Sequence, residues 1–223
     1  MNNCFVLDNP ALQEVLNELR DKNTGPARFR QGLKRAGYLM TYEMLDNEVR
    51  TAHTEIETPM GPAEGISIDT RILQIYVMRA GEPFGSGGTD LLDDIGYNNR
   101  DVGIVDAKRV SNGGLDMEVE FGTIKVPPHD ENTIGILYDP MLATATTMIA
   151  TLRKLKERGL AKRWIVCSLL ASPYGLERLA DEFPNLHVYT LSIDRGGKDG
   201  LNDKGYIIPG LGDAGDRAFG TYE

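Results

Sequence analysis

From Ile134 to Met148 an apolar run ends at an acidic residue, crosses a short stretch of small and hydroxyl side chains, and enters a helical pattern. At the end of a buried strand this arrangement suits a phosphorylated sugar. Amides at a helix start lack partners inside the helix and carry partial positive charge. The hydroxyls of Thr144, Thr146 and Thr147 add donors, and Asp139 can accept from sugar hydroxyls. The bland alternative is that these threonines only cap a helix. A second segment, Met78-Arg79-Ala80-Gly81, also follows an apolar run, and a planar guanidinium matches phosphate oxygens two at a time. Read alone, Arg79 is better explained as a surface residue in a strand-to-loop turn. A third, Gly205 to Arg217, is rich in glycine and aspartate; taken by itself it is a loop near the C-terminus.

The elements that must carry these segments follow from periodicity. Ala11 to Arg20 presents Leu12, Val15, Leu16 and Leu19 on one helical face, and a longer helix is predicted from about Pro26 to Asn47. Val49 to Ile68 is β-like with a turn at Thr58 to Pro62. Buried strands are predicted at Arg71 to Met78, Val102 to Val105, Ile134 to Tyr138, Arg163 to Leu169 and His187 to Ile193. Helices at Ala143 to Arg158 and Gly175 to Phe183 separate several of them. The alternation predicts an α/β fold: a mainly parallel sheet flanked by helices on both faces, in one domain spanning 1–223. Leu115 to Phe121 alternates apolar and acidic residues after Asn112-Gly113-Gly114, so a protruding β-hairpin arm is expected at about 107–127.

Composition narrows the function class. The formal charge of −9 argues against broad electrostatic binding to nucleic acid or anionic membrane, while leaving room for small anions held by local donors. No apolar stretch approaches the length of a membrane span, and the first residues do not resemble a signal peptide, so a cytoplasmic protein is expected. Cys4 and Cys167 are read as reduced thiols, the latter buried. His53, His129 and His187 lie far apart without metal-ligand spacing, and no protein metal site is expected.

Asp139-Pro140-Met141-Leu142-Ala143-Thr144 resembles the phosphoribosyl-pyrophosphate loop of uracil phosphoribosyltransferases, a branch of the type I phosphoribosyltransferase fold. Where the bacterial loop continues Gly-Gly-Ser, this chain has Ala145-Thr146-Thr147, which is more similar to archaeal members and less permissive than glycine. Met78-Arg79-Ala80-Gly81 is similar to the family's pyrophosphate loop. Pro209 to Arg217, followed by Phe219-Gly220-Thr221, resembles its uracil-binding segment almost residue for residue. Arg28-Phe29-Arg30, Gly37 to Glu43 and Glu57 to Gly61 resemble the N-terminal half in order, and Glu82 to Asn99 matches weakly.

The resemblance implies that uracil and 5-phospho-α-D-ribose 1-diphosphate react to UMP and diphosphate. It assigns the donor to Arg79, Asp139 to Thr147 (Pro140, Met141, Leu142, Ala143 and Ala145 included) and Asp213. A second basic contact falls at Lys108 or Arg109, with Arg109 favoured. Uracil contacts fall on Ile207, Gly212, Asp213 and Ala214 within residues 200–223, where backbone groups can pair with the ring edge and reject an amino-substituted base. Arg79 and Arg109, with Mg²⁺ accompanying the donor, would stabilise the leaving group; Asp213 is the nominee for general base. In archaeal members a GTP-activating site lies at the start of the long helix, here Gln31, Gly32, Leu33, Lys34 and Arg35. The exposed face of a packing helix explains that segment equally well. CTP inhibition and a dimeric or tetrameric assembly are further implications. The alternative function is a pyrimidine-nucleotide-responsive regulator on the same fold with little turnover.

Overall fold

The computed structural model describes residues 3–110, 118–159, 161 and 163–220, with the backbone alone for 109 and 110. In chain order the elements are β1 (Cys4–Val6), α1 (Pro10–Arg20), α2 (Pro26–Glu48), β2 (Thr51–Thr58), β3 (Gly61–Ile68), β4 (Arg71–Met78), α3 (Gly81–Asp94) and β5 (Arg100–Val110). Then follow β6 (Glu118–Lys125), β7 (Thr133–Tyr138), β8 (Met141–Leu142), α4 (Thr146–Lys156), β9 (Arg163–Ala171), α5 (Pro173–Glu182), β10 (His187–Ile193) and α6 (Ala214–Phe219). Three helices start where the sequence places proline in the first turn, at Pro10, Pro26 and Pro173. A proline there gives up an amide that would have had no helical partner.

The main sheet runs β1-β10-β9-β7-β4-β5-β6, parallel throughout except for β6, which pairs antiparallel with β5. Alternate strand residues feed two cores. Ile72, Tyr76, Ile136, Tyr138, Ile165 and Tyr189 pack against α1, α2 and α3, while Leu73, Ile75, Leu137, Val166 and Val188 pack against α4 and α5. Each fully buried aliphatic or aromatic side chain contributes about 1.5–3 kcal/mol, so both faces of the sheet need their helices.

Connections decide where a ligand can enter. From β4 the chain crosses through α3 to β5 on one side; from β7 it crosses through α4 to β9 on the other. β4 and β7 are hydrogen-bonded neighbours, in register from Arg71 with Thr133 to Tyr76 with Tyr138. The crossovers diverge between them, which opens a crevice beyond their C-terminal ends.

Several elements differ from the sequence expectation. β1 adds an edge strand beside β10. Helix α3 occupies residues whose glycines argue against a helix. Gly37 and Gly87 explain it: a Cβ at either would come within 1.8 Å of the carbonyl oxygen of Phe84 or Lys34, so α2 and α3 touch backbone to backbone. Helix α4 begins at Thr146 rather than Ala143, because residues 139–145 stay outside it, with Met141 and Leu142 forming β8. The hairpin expected at 107–127 is present as the antiparallel pair β5–β6, which joins the edge of the main sheet with β5 continuous from Arg100; the expected turn at Asn112 to Gly114 and Leu115 to Met117 lie outside the described residues. A separate two-stranded hairpin, β2–β3, stands apart from the main sheet.

Candidate active site

Beyond the ends of β4 and β7 lies a crevice of about 540 Å³. It is lined by Val77 to Ala80 at the end of β4, Asp106 to Lys108 on β5, residues 139–148 after β7, and Gly205 to Ile207 with Gly212 to Gly215 near the C-terminus. Arg79, Asp139 to Thr147, Ile207, Gly212, Asp213 and Ala214, singled out from sequence, therefore meet at one place. Lys108 lines the crevice as well, while the side chain of Arg109 lies outside the described residues. The crevice also collects Asp106, Tyr206 and Gly215, to which sequence reading assigned no individual role.

The loop after β7 is shaped by its own polar groups. Asp139 accepts from the Met141 amide at 3.2 Å, folding the chain back as β7 ends. The Thr144 and Thr146 hydroxyl oxygens are 3.1 Å apart. Helix α5 supports the loop from behind. Ser172, its N-cap, accepts from the Gly175 amide at 2.9 Å and donates to the Ala143 carbonyl at 2.6 Å. Arg178 reaches the Thr144 carbonyl at 2.8 Å. A Ser-Pro pair ahead of a helix is a readable cap signal; nothing in the sequence marks Arg178.

The C-terminal segment is held from elsewhere. Asp194, at the end of β10, takes both guanidinium nitrogens of Arg20 (2.8 and 2.7 Å), the Ser192 hydroxyl (2.7 Å) and the Gly210 amide (2.9 Å). Burial works to raise its pKa, but these donors outweigh it and hold the carboxyl below its ordinary value. Arg20 also donates to the Gly210 carbonyl at 3.0 Å, and Arg30 to the Ala218 carbonyl at 2.5 Å. Arg217 turns away from the crevice, over the Phe29 ring at 4.4 Å and onto the carbonyls of Leu19 and Leu211. Helices α1 and α2 thus fix the segment. Gly210 and Gly212 take φ of 63° and 83°, which lets the chain double back beside the crevice.

Asp213 and Asp216 act as a pair at the start of α6. Asp213 is the N-cap and accepts from the Asp216 amide at 2.9 Å. The Asp216 carboxylate lies 2.8 Å from Arg79, an ion pair that joins the two sides of the crevice mouth. The nominated base is therefore also a structural cap, and a carboxylate keeps acceptor capacity beyond one capping bond.

Segment 31–35 lies outside the lining of this crevice. Gly32 and Leu33 are buried, whereas Gln31, Lys34 and Arg35 are exposed, Lys34 pairing with Asp90 at 2.6 Å and Arg35 with Glu18 at 2.8 Å. The two buried members face the core, so a ligand at this segment would meet the other three. Among the described residues, no three His, Cys, Asp or Glu side chains form a group suited to a metal, and no helix is long and apolar enough to cross a membrane.

Comparison with known proteins follows the same lines. The family model described as uracil phosphoribosyltransferase matches residues 6–221. The uracil phosphoribosyltransferase of Pyrococcus furiosus is 39% identical over 215 residues, covering 96% of this chain and 88% of the relative. That of Pyrobaculum islandicum is 37% identical, covering 97% of this chain and 98% of the relative. Among solved structures, the AQ2163 protein from Aquifex aeolicus superposes with a TM-score of 0.85 at 28% identity, over 97% of both chains.

Proposed function

The chain belongs to the uracil phosphoribosyltransferase family, and from that premise we infer that it joins uracil to 5-phospho-α-D-ribose 1-diphosphate, giving UMP and diphosphate in pyrimidine salvage. The observation that carries this reading is the meeting of Arg79, residues 139–147 and residues 207–214 in one crevice at the divergence of β4 and β7. The relatives carry enzyme names, and nothing favours the regulator reading.

In the reaction the uracil N1 bonds to the ribose C1, the bond from C1 to the diphosphate oxygen breaks, and the N1 proton leaves. Charge accumulates on the departing diphosphate, so donors placed there lower the barrier most. Arg79 supplies such a donor after β4, and Lys108 a second positive charge from β5. Arg109 stays with Lys108 as the second candidate. The loop from Asp139 to Thr147 holds the ribose and its 5′-phosphate, with Asp139 toward the sugar hydroxyls and the threonines toward the phosphate. Ile207, Gly212 and Ala214 present backbone groups to the uracil edge. Asp213, beside them, contacts the donor and is the nominee to accept the N1 proton. Holding the two reactants side by side is itself worth several powers of ten.

Mg²⁺ would arrive on the donor rather than in a protein cage. It favours substrate phosphates, water and one or two carboxylates, and Asp106 and Asp139 on the crevice wall fit that second role. When bound, it supplies positive charge to the diphosphate oxygens. The reading extends to GTP activation through Gln31, Lys34 and Arg35, CTP inhibition, a homo-oligomer and a cytoplasmic location.

Incubating the purified chain with labelled uracil and donor, with and without Mg²⁺, tests the core of the reading. UMP and diphosphate should appear in equal amounts. Binding of both substrates without UMP formation at micromolar enzyme would overturn it.

A further inference from the structure

One residue of the loop has a backbone conformation opposed to its side chain. Ala145 has φ 59° and ψ 2°, the left-handed region. There an L-residue crowds its own Cβ against the following carbonyl, so alanine does not hold that shape unaided. Ala145 is buried, at 5% exposure, and sits at the start of α4 with no side-chain cap of its own. Such conformations persist where the surroundings over-determine them.

The surroundings here come from α5. A single nitrogen of Arg178, Nη1, donates to the Thr144 carbonyl at 2.8 Å and to the Thr146 hydroxyl at 3.0 Å, the residues on either side of Ala145. The guanidinium carbon lies 5.6 Å from the centre of the Tyr174 ring on the same helix, which limits its swing. The Thr144 and Thr146 hydroxyls meet at 3.1 Å across the same residue, and Ser172 ties down the Ala143 carbonyl at 2.6 Å. Helix α5 therefore holds the turn at residues 143, 144 and 146. Arg178 also sets a polarity. By occupying a lone pair of Thr146 Oγ1, it leaves that hydroxyl hydrogen to be donated to Thr144 or to an anion in the crevice.

We propose that Arg178 is a positioning residue for the phosphoribosyl donor: it imposes the left-handed turn at Ala145, so that Thr144, Thr146 and Thr147 face the phosphate before the donor arrives. This rests on residues 139–147 being the donor loop. Arg178 acts through the loop.

Steady-state kinetics and calorimetric donor binding on the full chain test it. Arg178→Ala should raise KM for the donor about ten-fold, the scale of one charge-assisted hydrogen bond, with KM for uracil changed by less than about two-fold. Arg178→Lys, which keeps the charge but loses the planar fork, should fall between the two. In an Ala145→Gly background the turn no longer needs imposing, so Arg178→Ala should there raise the donor KM by less than about three-fold over that background. Arg178→Gln serves if the alanine variant fails to fold. A lowered Tm with unchanged donor KM would reduce Arg178 to a structural tie, and equal rises in both KM values would mean general distortion; either overturns the proposal. Failure of the unaltered chain to bind donor would instead overturn the donor-loop assignment beneath it.

Discussion

The two sides of the crevice are held in place from very different distances along the chain. The loop after β7 is tied by Ser172 and Arg178, which lie 29 to 34 residues from the groups they bind. The C-terminal segment hangs on Arg20, Arg30 and the Leu19 carbonyl, at separations of 190, 188 and 198 residues. A loop at the end of a buried strand inherits its position from the sheet. A segment that follows the last strand keeps only a local tie, the Gly210 amide on Asp194 at the end of β10, and here the two N-terminal helices supply the rest. On the proposed assignment of donor to the loop after β7 and base to the C-terminal segment, damage to the first should appear as a local loss of affinity, whereas damage to the second should also cost global stability. The predictions below test that division, beginning with the largest effect.

Removing Arg20 should be the most severe change. Arg20→Ala leaves the nearly buried Asp194 carboxylate without its cation, and breaking such a pair costs about 3–5 kcal/mol. Urea unfolding should show the loss, and KM for uracil should rise in the surviving folded fraction. A stable variant with normal uracil KM would contradict the tethering. The same carboxylate predicts a pH dependence. Its folded pKa is lowered, so its stability contribution is complete above the unfolded value of about 3.9 and disappears as pH falls through the folded pKa. Asp194→Asn should therefore show a shallower loss of unfolding free energy on the acid side than the unaltered chain.

Next in size are changes at the crevice mouth. Arg79 is half exposed and pairs with Asp216, so Arg79→Ala should barely alter Tm. If it stabilises departing diphosphate, kcat/KM should fall about 10²- to 10³-fold. An unfolding shift as large as that of Arg20→Ala would erase the contrast between the two sides. Asp213 divides differently because it caps α6. Asp213→Asn can still accept the capping bond and should lose turnover with little loss of stability, while Asp213→Ala should lose both, the stability by about 1 kcal/mol. Normal turnover in Asp213→Asn would remove Asp213 from the chemistry.

How much could be read in advance follows the same contrast. β4 and β10 lie where the apolar runs from Arg71 and His187 place them, because strands buried on both faces carry continuous apolar sequence. The crevice loop after β7 was legible because its residues are consecutive and sit at a strand end. Helix α3 was not. Gly81, Gly85, Gly87 and Gly88 lower helix propensity, and only close approach to α2 and to Tyr76 and Tyr138 of the sheet makes them useful. The supports at Arg20, Arg30, Arg178 and Arg217 were invisible for another reason. An arginine on a helix surface looks like solvent-facing charge until the fold shows which carbonyl it reaches.

Ala145 gives the smallest and most discriminating prediction. Its left-handed backbone costs an alanine about 1–2 kcal/mol, which Ala145→Gly would remove. Glycine also gives the unfolded chain more freedom, which takes back about 0.4–1 kcal/mol. The net should be a gain of between about 0 and about 1.6 kcal/mol in unfolding free energy, read from the urea midpoint at an unchanged slope. Because the strain is confined to the loop, uracil KM should stay as it was, and only the donor KM should respond. If the variant were destabilised instead, or if uracil KM moved with donor KM, the two sides of the crevice would be one mechanical unit. The Arg79–Asp216 pair, which spans the mouth, would then be the first contact to remove in searching for the coupling.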